Sequence, residues 1–129
     1  MFLFSRISSE EYRGLGIATA LGPQIDLATD PRWPRFSGTF GENTGLAVDM
    51  TDAYVSGTQS TYSDDGTDLG WGAASVNAMI KHFPGDGSGE GGRESHTNAG
   101  KYAVYPGDNF DERLKPVIEG GLNLTMKTG

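Results

Sequence analysis

Residues 75–96 read Ser75-Val76-Asn77-Ala78-Met79-Ile80-Lys81-His82-Phe83-Pro84-Gly85-Asp86-Gly87-Ser88-Gly89-Glu90-Gly91-Gly92-Arg93-Glu94-Ser95-His96. A short apolar run passes straight into a Lys-His pair and then into a polar loop with five glycines. A run of this length bounded by turn residues predicts a buried strand over 75–80 that delivers Lys81 and His82 to its C-terminal end. The two histidines of the chain, His82 and His96, both lie in this stretch.

Upstream, Ala20-Leu21-Gly22-Pro23-Gln24-Ile25-Asp26-Leu27 predicts a second buried strand. Ahead of it, Ser9 with Glu10 and Glu11 predicts the start of a short helix, ended by Gly14 and Gly16. Asp30-Pro31-Arg32-Trp33-Pro34-Arg35 is a stiff loop, because two prolines restrict its backbone. Asn43 or Thr44 caps a helix over 45–57, with Leu46, Met50, Ala53, Tyr54 and Gly57 on one face. Gln59 to Gly70 is polar and reads as a surface loop.

Downstream, 102–107 reads as extended chain or turn. Asn109 caps a third helix, Pro116 kinks it, and Gly120-Gly121 end it. A further strand begins over 122–126. Helices and strands therefore alternate, which argues for an α/β fold with parallel strands. In such folds the loops after the strand C-termini carry the ligand site.

Composition narrows the function. The chain has 129 residues, one domain's worth, and a net charge of −7, which disfavours a nucleic-acid partner. Gly accounts for 20 residues, about twice ordinary usage. They separate apolar runs without a repeat, so they mark loops. No cysteine is present, so disulfides and thiolate chemistry are excluded. No run is long enough for a membrane span, and MFLFSRI is too short for a signal peptide. The compartment stays open.

The quoted loop supports several chemistries unequally. Gly87 to Gly92 fits GxGxxG, but Arg-Glu-Ser-His follows where a dinucleotide site needs an apolar helix. A calcium loop begun at Asp86 would have Thr97 where the bidentate Glu belongs. Zinc would find His82 and His96, with Glu94 as a third ligand; that set falls short, and no metal or other cofactor is expected. A plain solvated loop is the bland alternative. Sugar hydroxyls explain the mixture best. Lys, Arg and His donate to them, carboxylates accept, and Trp33 offers a ring face.

Taken in order, Asp30-Pro31-Arg32-Trp33-Pro34-Arg35, Gly38-Thr39-Phe40-Gly41-Glu42-Asn43, Lys81-His82-Phe83 and Gly91-Gly92-Arg93-Glu94 resemble the signatures of glycoside hydrolase family 3. The resemblance runs from residue 10 to about 125. It implies a (β/α)8 barrel fold and hydrolysis of β-linked glucosides and oligosaccharides with retention, through a covalent glycosyl-enzyme. It implies that Arg35, Lys81 and His82 bind hydroxyls of the sugar at the −1 subsite, with Arg93 a further contact, and that Arg32 and Trp33 hold their loop. Arg93 and Glu94 would brace the Gly-rich loop. One branch of the family uses Asp-Ser-His as an acid/base dyad, which Glu94-Ser95-His96 resembles; His96 with Glu94 is thus the one candidate for catalysis. Family members occur in the cytoplasm, in the periplasm and outside the cell.

The chain also departs from the family pattern. Pro34 replaces a common Gly, Gly38 a common Glu, and Asn43 a common Asp. The Ser-Asp-Trp-like motif of the nucleophile is absent, since neither Trp33 nor Trp71 follows Asp. The acid/base Glu of the family's second domain is absent too. A closed barrel takes at least ~200 residues. The expected architecture is therefore a partial (β/α)8 TIM barrel of about three β/α units over 1–129. Its open edges and apolar faces predict self-association or a missing complement. The expected function is the sugar-contact part of a retaining β-glycosidase, inactive alone. The alternatives are a non-catalytic carbohydrate-binding or interaction module, or a truncated product.

Overall fold

Two extended segments lie side by side in parallel in the computed structural model, which describes residues 1–122. β1 (Thr19–Ala20) pairs with β4 (Asn77–Ala78), Thr19 opposite Asn77 and Ala20 opposite Ala78. The ladder resumes at a parallel bridge between Gln24 and Lys81. Between the two the pairing slips by one residue, at the Gly22–Pro23 cis peptide. The Lys81 amide donates to Pro23 O at 3.1 Å and the Ile25 amide donates to Lys81 O at 2.8 Å. The strands expected over 20–27 and 75–80 are thus real neighbours but only partly regular. Pro23 has no N–H to give, so the ladder breaks there. What survives sets Gln24, Ile25 and Asp26 beside Lys81 and His82.

Three helices flank this pair. α1 spans Phe2–Gly14 and starts seven residues before the expected Ser9 cap. Ser9 is instead buried inside it, its hydroxyl donating to Thr58 O at 2.8 Å. α2 spans Thr44–Gln59, and Asn43 caps it as expected, its side chain accepting from the Leu46 amide at 2.8 Å. The buried face of α2 is Ala47, Thr51, Val55 and Thr58, whereas Leu46 is half exposed. The expected apolar stripe is rotated because α1 demands close approach. A Cβ on Gly57 would stand 2.2 Å from Ser5 Oγ and 2.5 Å from Phe2 O. Small residues and threonines therefore occupy the contact, and larger apolar side chains are displaced from it.

The polar stretch read as a surface loop contains a short antiparallel hairpin, β2 (Thr61–Tyr62) with β3 (Asp68–Gly70). Its turn is held by Asp65, which accepts from Ser63 Oγ and from the Thr67 amide. α3 (Phe110–Lys115) runs directly into a wider turn over Pro116–Gly121, so the helical geometry changes at Pro116. Pro116 has no amide to donate, and the widened turn accommodates it. Asn109 makes no capping hydrogen bond. The strand expected over 122–126 falls, beyond Leu122, outside the described residues.

Ile25, Leu27, Ala28, Trp33, Ala47, Val55, Val76 and Val117 form the core. It gathers both extended segments, the stiff loop and the inner faces of α2 and of the turn after α3. No helix among the described residues is long and apolar enough to cross a membrane.

Candidate functional site

The site grows from one buried carboxylate. The ladder brings Asp26 against His82, and the Asp26 side chain has no exposed surface. Its Oδ2 accepts from His82 Nδ1 at 2.8 Å, and its Oδ1 accepts from the His82 amide at 3.1 Å and the Asp86 amide at 2.5 Å. Three donors on one carboxylate compensate its removal from water. The same bonds hold the start of the Gly-rich loop.

That arrangement decides the state of His82. Arg35 Nη1 lies 3.0 Å from His82 Nε2. A guanidinium can only donate, so Nε2 accepts and the ring proton sits on Nδ1, facing Asp26. The second arm of Arg35 donates to Gln24 Oε1 at 3.1 Å. Arg35 Nη1 also stands 3.7 Å from Asp86 Oδ2 and 3.9 Å from Glu94 Oε1. Four side chains, Gln24, His82, Asp86 and Glu94, thus converge on one guanidinium.

The stiff loop supplies Arg35 from a fixed base. Arg32 closes back on Asp30 through two side-chain bonds of 3.0 and 2.7 Å, which hold the Asp30 carboxyl down at about 2. Trp33 is buried, and its indole N–H donates to Glu94 Oε2 at 2.8 Å. Arg32 and Trp33 hold the loop, in the manner expected.

The Gly-rich loop is no solvated tether. Asp86, Gly87 and Ser88 are buried. The Val104 amide donates to Ser88 O at 2.8 Å and Thr29 Oγ1 donates to Gly87 O at 3.0 Å. Gly87 has a φ of 74°, and a Cβ there would lie 2.8 Å from Leu27 O and 3.0 Å from the Trp33 ring. Only glycine fits such an approach.

Glu94 closes the far side. Burial pushes its carboxyl up, but hydrogen bonds from His96 and Trp33, with the charge of Arg35, outweigh burial and leave it below its ordinary value. His96 Nδ1 bonds Glu94 Oε1. The imidazoles of His82 and His96 meet edge to face, centroids 5.6 Å apart. With Asp86 and Ser88 they bound an open cavity of about 360 Å³.

Sequence reading placed Arg35, His82, Glu94 and His96 in one site, and the structure brings them together. Of the expected residues only His82 and His96 line the cavity; Arg35 and Glu94 stand behind them, and Lys81 and Arg93 do not line it either. Lys81 adjoins it through the backbone. Arg93 is exposed, and no Arg93–Glu94 pair forms among the described residues. Glu94 turns to Trp33, His96 and Arg35, so the expected brace runs between loops rather than within one. Asp26, Gln24 and Asp86 were missed. An acid inside an apolar strand segment was the available signal for Asp26, since a buried charge requires donors.

The set weighed and set aside for zinc, His82, His96 and Glu94, differs from the cluster the structure assembles. Ligand atoms of Asp86, Glu94 and His96 lie within 4.8 Å of one another. Arg35, close to both carboxylates, already supplies the positive charge there. Their spacing is also near the roughly 5 Å of a retaining carboxylate pair. Glu94, however, is held ionised, which unsuits it to donate a proton as a general acid.

Comparison with known proteins shows the family. Residues 4–118 match the model of the glycosyl hydrolase family 3 N-terminal domain. Over 113 residues the chain is 45% identical to beta-glucosidase C of Emericella nidulans, covering 88% of this chain and 17% of that protein. It is 42% identical to a periplasmic beta-glucosidase/beta-xylosidase of Dickeya chrysanthemi, over 88% of this chain and 16% of that one. The chain thus spans about a sixth of the length of these relatives. Among solved structures, a β-glucosidase from Erythrobacter marinus superposes with a TM-score of 0.66 at 27% identity, over 91% of this chain and 15% of the other. A mutant β-glucosidase from Listeria innocua, in complex with laminaribiose, superposes with a TM-score of 0.64 at 24% identity, over 97% of this chain and 16% of the other.

Proposed function

Because the chain belongs to glycoside hydrolase family 3, we propose that it carries the sugar-gripping part of a retaining β-glycosidase acting on β-linked glucosides. In this reading residues 1–129 form one segment of a (β/α)8 barrel. β1 and β4 are two of its parallel strands, and the loops after them hold the site.

The observation that carries the reading is the Asp26–His82–Arg35 relay, of which the His82 ring lines the cavity. The one lone pair of His82, on Nε2, takes a hydrogen from Arg35. A sugar hydroxyl would reach that nitrogen only by displacing Arg35, and His82 would otherwise act by aiming the guanidinium. Arg35 and Lys81 donate. Arg93, exposed on the next turn, is the outermost contact. Held in this way, hydroxyls at the −1 subsite fix the ring for distortion toward the oxocarbenium-like transition state. His96 with Glu94 is the remaining candidate for proton transfer. Glu94 stays ionised and orients His96 through Nδ1, so a proton would have to travel on His96.

Two carboxyls flanking a scissile bond, one free to act as acid and one as nucleophile, are not among the residues assembled here. The expected result is therefore no turnover of an aryl β-glucoside by the purified 129-residue chain. Measurable hydrolysis would overturn the reading. His82, Asp86, Ser88 and His96 give the cavity several hydrogen-bonding groups, which is what a second reading, sugar binding without catalysis, would use. Titration with β-glucose, monitored at the His82 ring, separates the two. Saturable binding lost in Arg35→Ala supports the binding module, and negligible binding supports a segment of a larger site.

A further inference from the structure

Behind the Gly-rich loop, on the other side of Ser88 and Gly89, lies a second cavity of about 380 Å³. It is distinct from the His82–His96 cavity, and the proposed glycosidase chemistry makes no use of it. Thr29, Asp30, Ser88, Asn109 and Arg113 supply its polar wall, and Val104 and Pro106 an apolar one.

Arg113 is 5% exposed. Its Nη2 donates to Thr29 Oγ1 at 2.9 Å, but its Nε and Nη1 are buried without a hydrogen-bond partner among the described residues. It forms no ion pair among them either. The Tyr105 ring, 5.6 Å from the guanidinium carbon, gives only a weak counter-charge. Burial pushes the Arg113 pKa down. Ser88 Oγ and Asn109 Oδ1 are also buried and unpartnered. Buried polar groups are nearly always satisfied, and a buried cation without an anion is costly. Here an unpaired guanidinium, an unused hydroxyl and an unused amide surround one empty space of ligand size.

We infer that this cavity binds a small monocarboxylate. Its two oxygens would take hydrogens from Arg113 and Ser88, and Asn109 would bond a hydroxyl on the ligand or, with its amide reversed, a carboxylate oxygen. The charge count selects a monoanion. Arg113 is a single cation, and the Asp30 carboxylate, tied to Arg32 at 2.7 Å, also faces the space and repels a dianion such as phosphate.

The test titrates the chain with sodium acetate against sodium chloride at equal ionic strength. The readouts are the Arg113 Nε–H resonance and the thermal midpoint. Acetate is expected to shift the resonance and raise the midpoint, and chloride to do neither. Ser88→Ala should weaken the apparent affinity by about tenfold, the effect of losing one hydrogen bond to a charged group. Asn109→Asp places a carboxylate in the cavity; it should raise the midpoint without ligand and abolish the acetate response. This variant keeps the test open should Arg113→Gln fail to fold. An acetate response equal to that of chloride would overturn the proposal, as would one surviving in Asn109→Asp.

Discussion

Asp26 Oδ2 accepts the Nδ1 proton of His82 across 2.8 Å, from a carboxylate with no exposed surface. That bond joins the end of one extended segment to the end of the next and leaves the other ring nitrogen to Arg35. Asp26→Ala leaves three donors unpaired and should cost roughly 3 kcal/mol of stability. In Asp26→Asn the imidazole loses its anionic partner. Nitrogen NMR of the His82 ring should then show a mixture of tautomers in place of the Nδ1–H form. A ring already in the Nε2–H form in the unaltered chain would contradict the arrangement described above.

The Trp33–Glu94 bond predicts an acid-sensitive signal. The folded carboxyl titrates below the ordinary value of 4.5. A group whose folded pKa is depressed stabilises the fold fully above its unfolded pKa, and that contribution disappears as pH falls through the folded one. Trp33 fluorescence, read in a Trp71→Phe background, should therefore hold steady down to pH 4.5 and change below it. Glu94→Gln keeps an acceptor for the indole but removes the charge, so the transition should vanish.

The α1–α2 contact tolerates no added atom at Gly57, where a Cβ would sit 2.5 Å from the backbone oxygen of Phe2. Gly57→Ala favours the isolated helix but forces α1 outward. A loss of about 1–3 kcal/mol in urea denaturation is expected, as for other overpacked contacts. Unchanged or increased stability would mean that the helices are not so closely apposed.

Phe83, Leu21 and Met79 are respectively 75%, 66% and 52% exposed, beside a two-stranded parallel ladder. Apolar surface next to unpaired strand edges promotes association. Sedimentation should show mass rising with concentration, and the double variant Leu21→Ser/Phe83→Ser should reduce that rise. A monomeric mass throughout, with a high thermal midpoint, would count against it.

Much of the site could be read along the chain. Polar residues directly after short apolar runs mark strand ends, and the prolines around Trp33 mark a rigid support. Asn43 was legible as a cap because its hydrogen bond is local. The hairpin at 61–70 was not, since its residues are polar and its pairing short. The buried face of α2 was misread for a related reason: periodicity reports an apolar side, while close helix packing selects small residues.

By itself, then, the sequence determined the helix–strand–helix order of α1, β1 and α2, the parallel partner at 77–78, the family, and the nearness of His82, Glu94 and His96 in one loop. All of these follow from local pattern and motif order. Only the tertiary structure decided what each of them touches. Asp26 is 56 residues from His82, and Trp33 is 61 from Glu94. The tautomer of His82, the charge of Glu94 and the isolation of Arg113 depend on which donors burial leaves within reach. Contacts made across such separations are set by how the elements pack, which no local pattern specifies.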